Sequence, residues 1–336
     1  MTPDNGEVKA YVGGPDFKAF QYDNARQSKR QVGSTIKPFL YTLAMQEGLT
    51  PCDKVVNNSQ TFVLWDGTTW TPRSTDREEY LGQTVTLRWG LSRSSNNISA
   101  YLMKEFGPAS LVKMMRQMGV PGHLDEVYSL CVGPVEISVF DMVASYNTFP
   151  SMGTYITPQY VTRITDNDGR EISTFTNQKR EAISEQTSYL MADIMKAVIN
   201  EGTGTRLRSV YGLKGEIAGK TGTTNDNSDG WFIGYTPNIT AGIWVGGEDR
   251  QVHFNSLALG GGSNMALPIW GIWMKKCLAD PSIGWSEYDT FPVPPSGALT
   301  FDCESEGQLL GGYSGEAIAG SKEGDNPSTE EDYYFN

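Results

Sequence analysis

Histidine is almost absent from this chain: His123 and His253 are the only two in 336 residues, and neither lies near a serine-bearing motif. A serine hydroxyl is a poor nucleophile near neutral pH and needs a neighbouring base, so serine chemistry here has to find one other than imidazole. Positive charge is short as well. Against 39 Asp and Glu stand 27 Lys and Arg, a net charge of -12, which argues against a nucleic-acid surface and leaves any anionic substrate to be met by local cations. No apolar run is long enough to cross a bilayer, and the polar start Met1-Thr2-Pro3-Asp4-Asn5-Gly6 carries no basic and apolar leader; the chain as it stands is expected to be soluble. Cys52, Cys131, Cys277 and Cys303 lack the paired spacing of a zinc or thioredoxin-like site. Free, mostly buried thiols are the expectation, with a bridge such as Cys277 to Cys303 left open for an oxidising compartment.

Serine and lysine, by contrast, recur in three short segments: Ser34-Thr35-Ile36-Lys37, then Ser94-Ser95-Asn96, then Lys220-Thr221-Gly222-Thr223. They supply what an acyl-transfer site needs without imidazole: a hydroxyl to attack, an amine to take its proton, and donors for the oxyanion that forms. Each match alone is weak. A Ser-x-x-Lys is expected about once or twice by chance in a chain of ordinary composition, and Ser110-Leu111-Val112-Lys113 matches as well; Ser145-Tyr146-Asn147 and Ser95-Asn96-Asn97 repeat the Ser-x-Asn pattern. Context separates them. Ser34 follows Arg30-Gln31-Val32-Gly33, so a glycine turn delivers it to a helix start, where free amides and the positive end of the dipole favour developing negative charge. Lys37 then falls one turn on, on the same face. Ser110 and Lys113 sit inside a helical stretch and read as a solvated face.

Periodicity gives a mixed α/β (α+β) chain. Glu7 to Val12 alternates like a strand, Gly13-Gly14-Pro15-Asp16 reads as a turn, and Phe17 to Tyr22 as an antiparallel return. Ile36, Phe39, Leu40, Leu43 and Ala44 recur at helical spacing from Ser34 to about Glu47, with Gly48 past the end. Pro38 falls in the first turn, where a missing amide does little harm. Further helices are expected near 84–92, 98–106, 108–118, 136–149 and 185–200, interrupted by a strand pair around Asn167-Asp168-Gly169. Glu216 to Thr221, Gly230 to Tyr235 and Thr240 to Val245 read as a meander, and Met265 to Leu278 as a helix. The economical architecture is one antiparallel sheet of about five strands flanked by helices, built from about 1–48 and 215–280, with a mainly helical subdomain inserted over about 50–215. That domain covers 1–300. Residues 301–336 read as an acidic, flexible tail.

With these segments in hand, the chain resembles the transpeptidase domain of a bifunctional, class A penicillin-binding protein. The likeness runs nearly end to end. It includes the opening Gly6-Glu7-Val8-Lys9-Ala10-Tyr11-Val12-Gly13-Gly14, the nucleophile segment Arg30 to Phe39, Leu91-Ser92-Arg93-Ser94-Ser95-Asn96, and the loop Gly202-Thr203-Gly204-Thr205. Most specific is Lys220-Thr221-Gly222-Thr223-Thr224 followed by Asp229-Gly230-Trp231-Phe232-Ile233-Gly234-Tyr235. Val32 departs from the family's usual proline. The glycosyltransferase domain and membrane anchor that precede this domain in such proteins have no counterpart here, so the full-length protein is expected to carry them.

The resemblance implies the penicillin-binding protein or serine β-lactamase-like fold and a DD-transpeptidase. Ser34 would be the nucleophile and Lys37 its base, kept neutral by burial and by Lys220. Ser94 would relay a proton to the leaving amine while Asn96 holds Lys37 or the substrate. Lys220, Thr221, Gly222 and Thr223 would receive the terminal carboxylate of a stem peptide ending in D-Ala-D-Ala, and the amides of Ser34 and Thr223 would form the oxyanion hole. Neither a cofactor nor a metal is implied. β-Lactam antibiotics would be the other ligands, and the extracytoplasmic face of the cell membrane the place of work. No Glu-x-x-x-Asn follows the second motif, so the β-lactam adduct is expected to be long-lived. A DD-carboxypeptidase, a β-lactamase or a silent β-lactam sensor stays open on the sequence.

Overall fold

The computed structural model describes residues 1–18, 21–297, 299, 301 and 303. Its centre is an antiparallel sheet of β1 (Ala218–Thr223), β2 (Asp229–Tyr235) and β3 (Thr240–Gly246), in that order. The register sets Lys220 opposite Ile233 and Thr223 opposite Gly230. Strand β2 is buried along its whole length because the sheet is covered on both faces. Trp231, Ile233 and Tyr235 join the main core, while Phe232 joins a second cluster with Leu267, Trp270 and Met274, the two-residue period of a strand.

Three helices stand on the main-core side: α1 (Lys37–Gln46), α2 (Asn96–Gln117) and α3 (Glu185–Asn200). α4 (Gly262–Ala279) covers the other face of the sheet. Helix α1 lies between α2 and α3 and is buried from Lys37 through Met45, as its apolar composition on all sides requires. Its one charged residue, Lys37, is therefore carried into the core. As the sequence leads one to expect, α2 consists of two helical stretches that meet at Gly107, whose φ of 75° is non-helical and is followed by Pro108, a residue with no amide to continue the ladder.

Other expectations need correction. Among the described residues the sheet has three strands rather than about five, and the first residues do not extend it as a strand. Only Glu7 bridges, in parallel, to Gln159, and Met1 exchanges two backbone hydrogen bonds of 2.9 Å with Thr240 at the edge. Residues Lys9 to Val12 are exposed and lack the packed face that turns alternation into a strand. The return expected over Phe17 to Tyr22 does not form where it is described: Phe17 and Lys18 lie in a turn, Gln21 and Tyr22 are irregular, and residues 19 and 20 lie outside the described residues.

The cysteines also differ. Cys52 is bonded to Cys303, 251 residues away, while Cys131 and Cys277 are free and buried. A Cys277 to Cys303 bridge is thereby excluded. Spacing along the chain carries no information about closure over such a distance. Apart from Phe301 and Cys303, the acidic tail of 301–336 lies outside the described residues. Among the described residues no helix is long and apolar enough to cross a membrane.

Candidate active site

Ser34 sits in a single 3-10 turn, Gly33–Ile36, and the α-helix starts only at Lys37. The expected helix start at the serine is thus displaced by one turn, for a local reason. The amide that would bond the Ser34 carbonyl in an α-helix belongs to Pro38 and does not exist, so the Lys37 amide bonds it instead. Gly33 enters this turn at φ 51°. The turn is clamped from three sides: Gly33 N donates to Gly133 O (3.0 Å), Tyr146 Oη donates to Thr35 O (2.5 Å), and Gly222 of β1 lies against Val32. A methyl group on Gly33 would stand 2.6 Å from Thr223 O, so the backbones of the first and third motifs touch.

Gly133 shows how little room the clamp leaves. It has φ 77°, and a Cβ there would lie 2.0 Å from Gly33 O. Gly133→Ala therefore combines a left-handed backbone with a backbone clash. The expected cost is at least about 2 kcal/mol, read as a fall in melting temperature of roughly 4–8 °C.

The two lysines meet at the second motif. Lys37 Nζ donates to Ser94 O (2.5 Å) and Asn96 Oδ1 (2.7 Å) and lies 3.4 Å from Ser94 Oγ. Lys220 Nζ, arriving from β1, donates to Ser94 Oγ (2.9 Å) and Thr221 O (3.1 Å). Both lysines are completely buried, whereas Ser34 is half-buried. Burial holds the Lys37 ammonium far below the usual lysine range, at about 7, although the Cys131 and Asp76 sites pull the other way. Lys220 is lowered strongly, first by burial and then by the charge of Lys37. Burial disfavours the charge on both amines, and with its value brought to about 7 a substantial fraction of Lys37 is an uncharged amine near neutral pH. The Cys131 thiol beside it is pushed up to about 12 by burial and is no competing thiolate.

Ser94 itself has φ 61°, a conformation that a non-glycine residue keeps only when its surroundings impose it. On β1 the hydroxyls point away from Lys220. Thr221 Oγ1 bonds Thr203 Oγ1 (2.7 Å) and Thr223 Oγ1 accepts from Gly262 N (3.0 Å) at the start of α4. Asn227 to Asp229 close the strand turn, where fully buried Asp229 accepts from Arg30 Nε (2.8 Å) and Trp244 Nε1 (3.0 Å). That pair ties the segment before Ser34 to the strand after Thr223.

Thus Lys37, Ser94, Asn96 and Lys220 form one hydrogen-bonded cluster, with Ser34 one turn before Lys37 and Gly222 and Thr223 against the serine turn. The Ser34 hydroxyl makes no hydrogen bond among the described residues. The rival motifs are elsewhere. Ser110 lies inside α2 with Lys113 exposed, and Ser145 Oγ donates to Asp141 O while Asn147 Nδ2 donates to Thr2 O. Sequence reasoning did not find Thr203 as the partner of Thr221, nor Asp76, which accepts from Ser95 Oγ (2.6 Å); the Gly-Thr-Gly-Thr loop was the one signal for the former.

Known proteins carry the same arrangement of chain. The family model of the penicillin binding protein transpeptidase domain matches residues 1–248. Penicillin-binding protein 1A of Aquifex aeolicus is 33% identical over 273 residues, 80% of this chain and 36% of its own length. The chain therefore spans about a third of the length of such relatives. In fold, it is similar to penicillin-binding protein 1A from Haemophilus influenzae (TM-score 0.79, 24% identity, 88% of this chain and 48% of that one). It is also similar to PonA1 from Mycobacterium tuberculosis in complex with penicillin V (TM-score 0.70, 23% identity, 88% of this chain and 80% of that one). With a family match over residues 1–248 and a relative 33% identical across 80% of this chain, the chain belongs to the penicillin-binding protein transpeptidase family.

Proposed function

We propose that this domain is a peptidoglycan DD-transpeptidase working through an acyl group on Ser34. The observation that carries the reading is the buried Lys37, Ser94 and Lys220 cluster at the end of the serine turn. Uncharged Lys37 takes the Ser34 proton. The oxygen attacks the penultimate D-alanine carbonyl of a stem peptide, and the amides of Ser34 and Thr223 hold the oxyanion, each such donor being worth about 3 kcal/mol. The amide C–N bond then breaks, and the proton passes by way of Ser94 to the leaving D-alanine. An amine of a second stem peptide attacks the ester, its proton returns through Lys37, and Ser34 is released with a cross-link formed.

Lys220 gives the acidic protein its local cation. An arriving carboxylate favours the charged form of Lys220, so the two lysines take opposite states: Lys220 charged toward the substrate and Lys37 neutral toward Ser34. Thr221, Gly222 and Thr223 then form the strand beside which the peptide end lies. A β-lactam presents a carboxylate and an activated amide to the same groups, and the PonA1 neighbour solved with penicillin V supports that ligand class. The Cys52 to Cys303 bond suits an oxidising, extracytoplasmic setting. The relatives' greater length supports an anchor and a glycosyltransferase domain in the full-length protein.

The test supplies a stem peptide ending in D-Ala-D-Ala together with an acceptor amine. Free D-alanine and cross-linked peptide in equal amounts are expected. D-Alanine with hydrolysed peptide alone would make the domain a carboxypeptidase, rapid turnover of penicillin a β-lactamase, and a stable penicillin adduct without any peptide product a sensor.

A further inference from the structure

The second motif is laced to a strap of chain that carries no recognisable signature. Residues Arg73 to Asp76 run beside Ser94 to Asn97 and hold each of them once. Thr75 Oγ1 donates to Ser94 O (3.3 Å), Ser95 Oγ to Asp76 Oδ2 (2.6 Å), Asn96 Nδ2 to Arg73 O (2.8 Å) and Asn97 Nδ2 to Ser74 Oγ (3.3 Å). Of the groups making these four bonds, the Asp76 carboxylate is the one that carries charge. Its partner Ser95 is fully buried and caps α2, accepting from Ile98 N (3.3 Å) while it donates to the carboxylate. With its donor and an acceptor site both committed, the hydroxyl has one orientation. On either side of it stand Ser94 and Asn96, the two residues that Lys37 bonds.

Building on the transpeptidase reading, we propose that Asp76 is a positioning residue of the site: its carboxylate orients the Ser95 hydroxyl and so fixes the strained Ser94 to Asn96 turn against Lys37 and Lys220. Its charge has a second effect. Among the described residues, the titratable groups that interact with Lys37 are Lys220 on β1, the Cys131 thiol in the turn Tyr128–Val132, and Asp76, while Tyr41, one turn along α1, feels Asp76. Asp76 is the carboxylate in that set, and it favours the charged form of Lys37 against the burial that opposes it.

The experiment measures acylation by benzylpenicillin across pH, with melting temperatures, for the whole chain and for Asp76→Ala, Asp76→Asn, Ser95→Ala and the Asp76→Ala/Ser95→Ala double variant. Each alanine variant is expected to acylate about 10- to 100-fold more slowly, with the double variant no slower than the worse single one. Asp76→Asn keeps an acceptor for Ser95, so its plateau rate returns to within about threefold of wild type while its pH midpoint moves down. A merely structural role would lower the melting temperatures and leave that midpoint in place. Asp76→Ala acylating at the wild-type rate, or Asp76→Asn with an unmoved midpoint, would overturn the proposal. Should Asp76→Ala fail to fold, Asp76→Asn carries the test. The Lys37 midpoint is also read without substrate from the ¹³C shift of its ε-carbon. A downward move there in Asp76→Asn upholds the role of Asp76 even if the wild type forms no adduct, an outcome that sinks the transpeptidase reading alone.

Discussion

Ser34→Ala is expected to abolish covalent labelling by penicillin and the release of D-alanine, while Ser110→Ala behaves as wild type. Nothing near Ser34 can replace its oxygen. Ser94 Oγ is held by Lys220 at 2.9 Å within the buried cluster, and the Cys131 thiol, pushed up to about 12, stays protonated. Loss of the nucleophile in a serine enzyme costs on the order of 10⁶ in rate, which leaves no measurable labelling over hours. Because Ser34 is half-buried in a turn set by backbone contacts, the variant should fold and melt within about 1 kcal/mol of wild type. Labelling retained in Ser34→Ala would show that the nucleophile lies elsewhere.

Lys37→Arg should come next in size, with acylation slowed by about 10³ to 10⁴, the upper part of what general base catalysis contributes. The change keeps a cation and removes a base, since guanidinium does not lose its proton in proteins. The pH profile separates this from misplacement. On the proposed mechanism wild-type acylation requires the uncharged amine, so its rate is expected to rise as pH rises through the Lys37 value of about 7 and to fall roughly tenfold per pH unit below it. In Lys37→Arg that limb disappears and the residual rate is flat. A wild-type profile that is flat from about pH 5 to about pH 9 would show that deprotonation of Lys37 does not govern the reaction.

What the sequence disclosed, it disclosed through local patterns. Helices over 37–46 and 185–200 follow from apolar spacing bounded by a glycine turn and by Ser184, whose side chain caps the latter. The three strands lie within two residues of their expected limits because aromatic and branched residues alternate between turns. The residues of the lysine and serine cluster stood out for a different reason: serine and lysine stand at spacings that place them on one turn or one strand edge. Partnerships across the chain were not legible. Asp76 reaches Ser95 from 19 residues upstream and Cys52 reaches Cys303 across 251, and no periodicity records either. Nor did alternation in Glu7 to Val12 reveal that no sheet surface waits for it; that depends on what covers the sheet edge, which Met1 already occupies.

Lys37 adds a point about stability and chemistry. Its ammonium is expensive to bury, and the three acceptors around it, Ser94 O, Ser94 Oγ and Asn96 Oδ1, answer that cost only in part. A core position in a buried helix would more readily take an apolar side chain. Keeping a lysine there makes sense when the site needs an amine that gives up its proton near neutral pH.

The most direct measurement is a peptide-resolved mass spectrum of the protein after brief exposure to benzylpenicillin at about pH 8, above the Lys37 value of about 7. A single added acyl group is expected, located by fragmentation on Ser34 within the segment Gln31 to Lys37. An adduct on Ser94, on Ser110 or on any lysine, or a protein of unchanged mass, would contradict the assignment of Ser34 as nucleophile and Lys37 as its base.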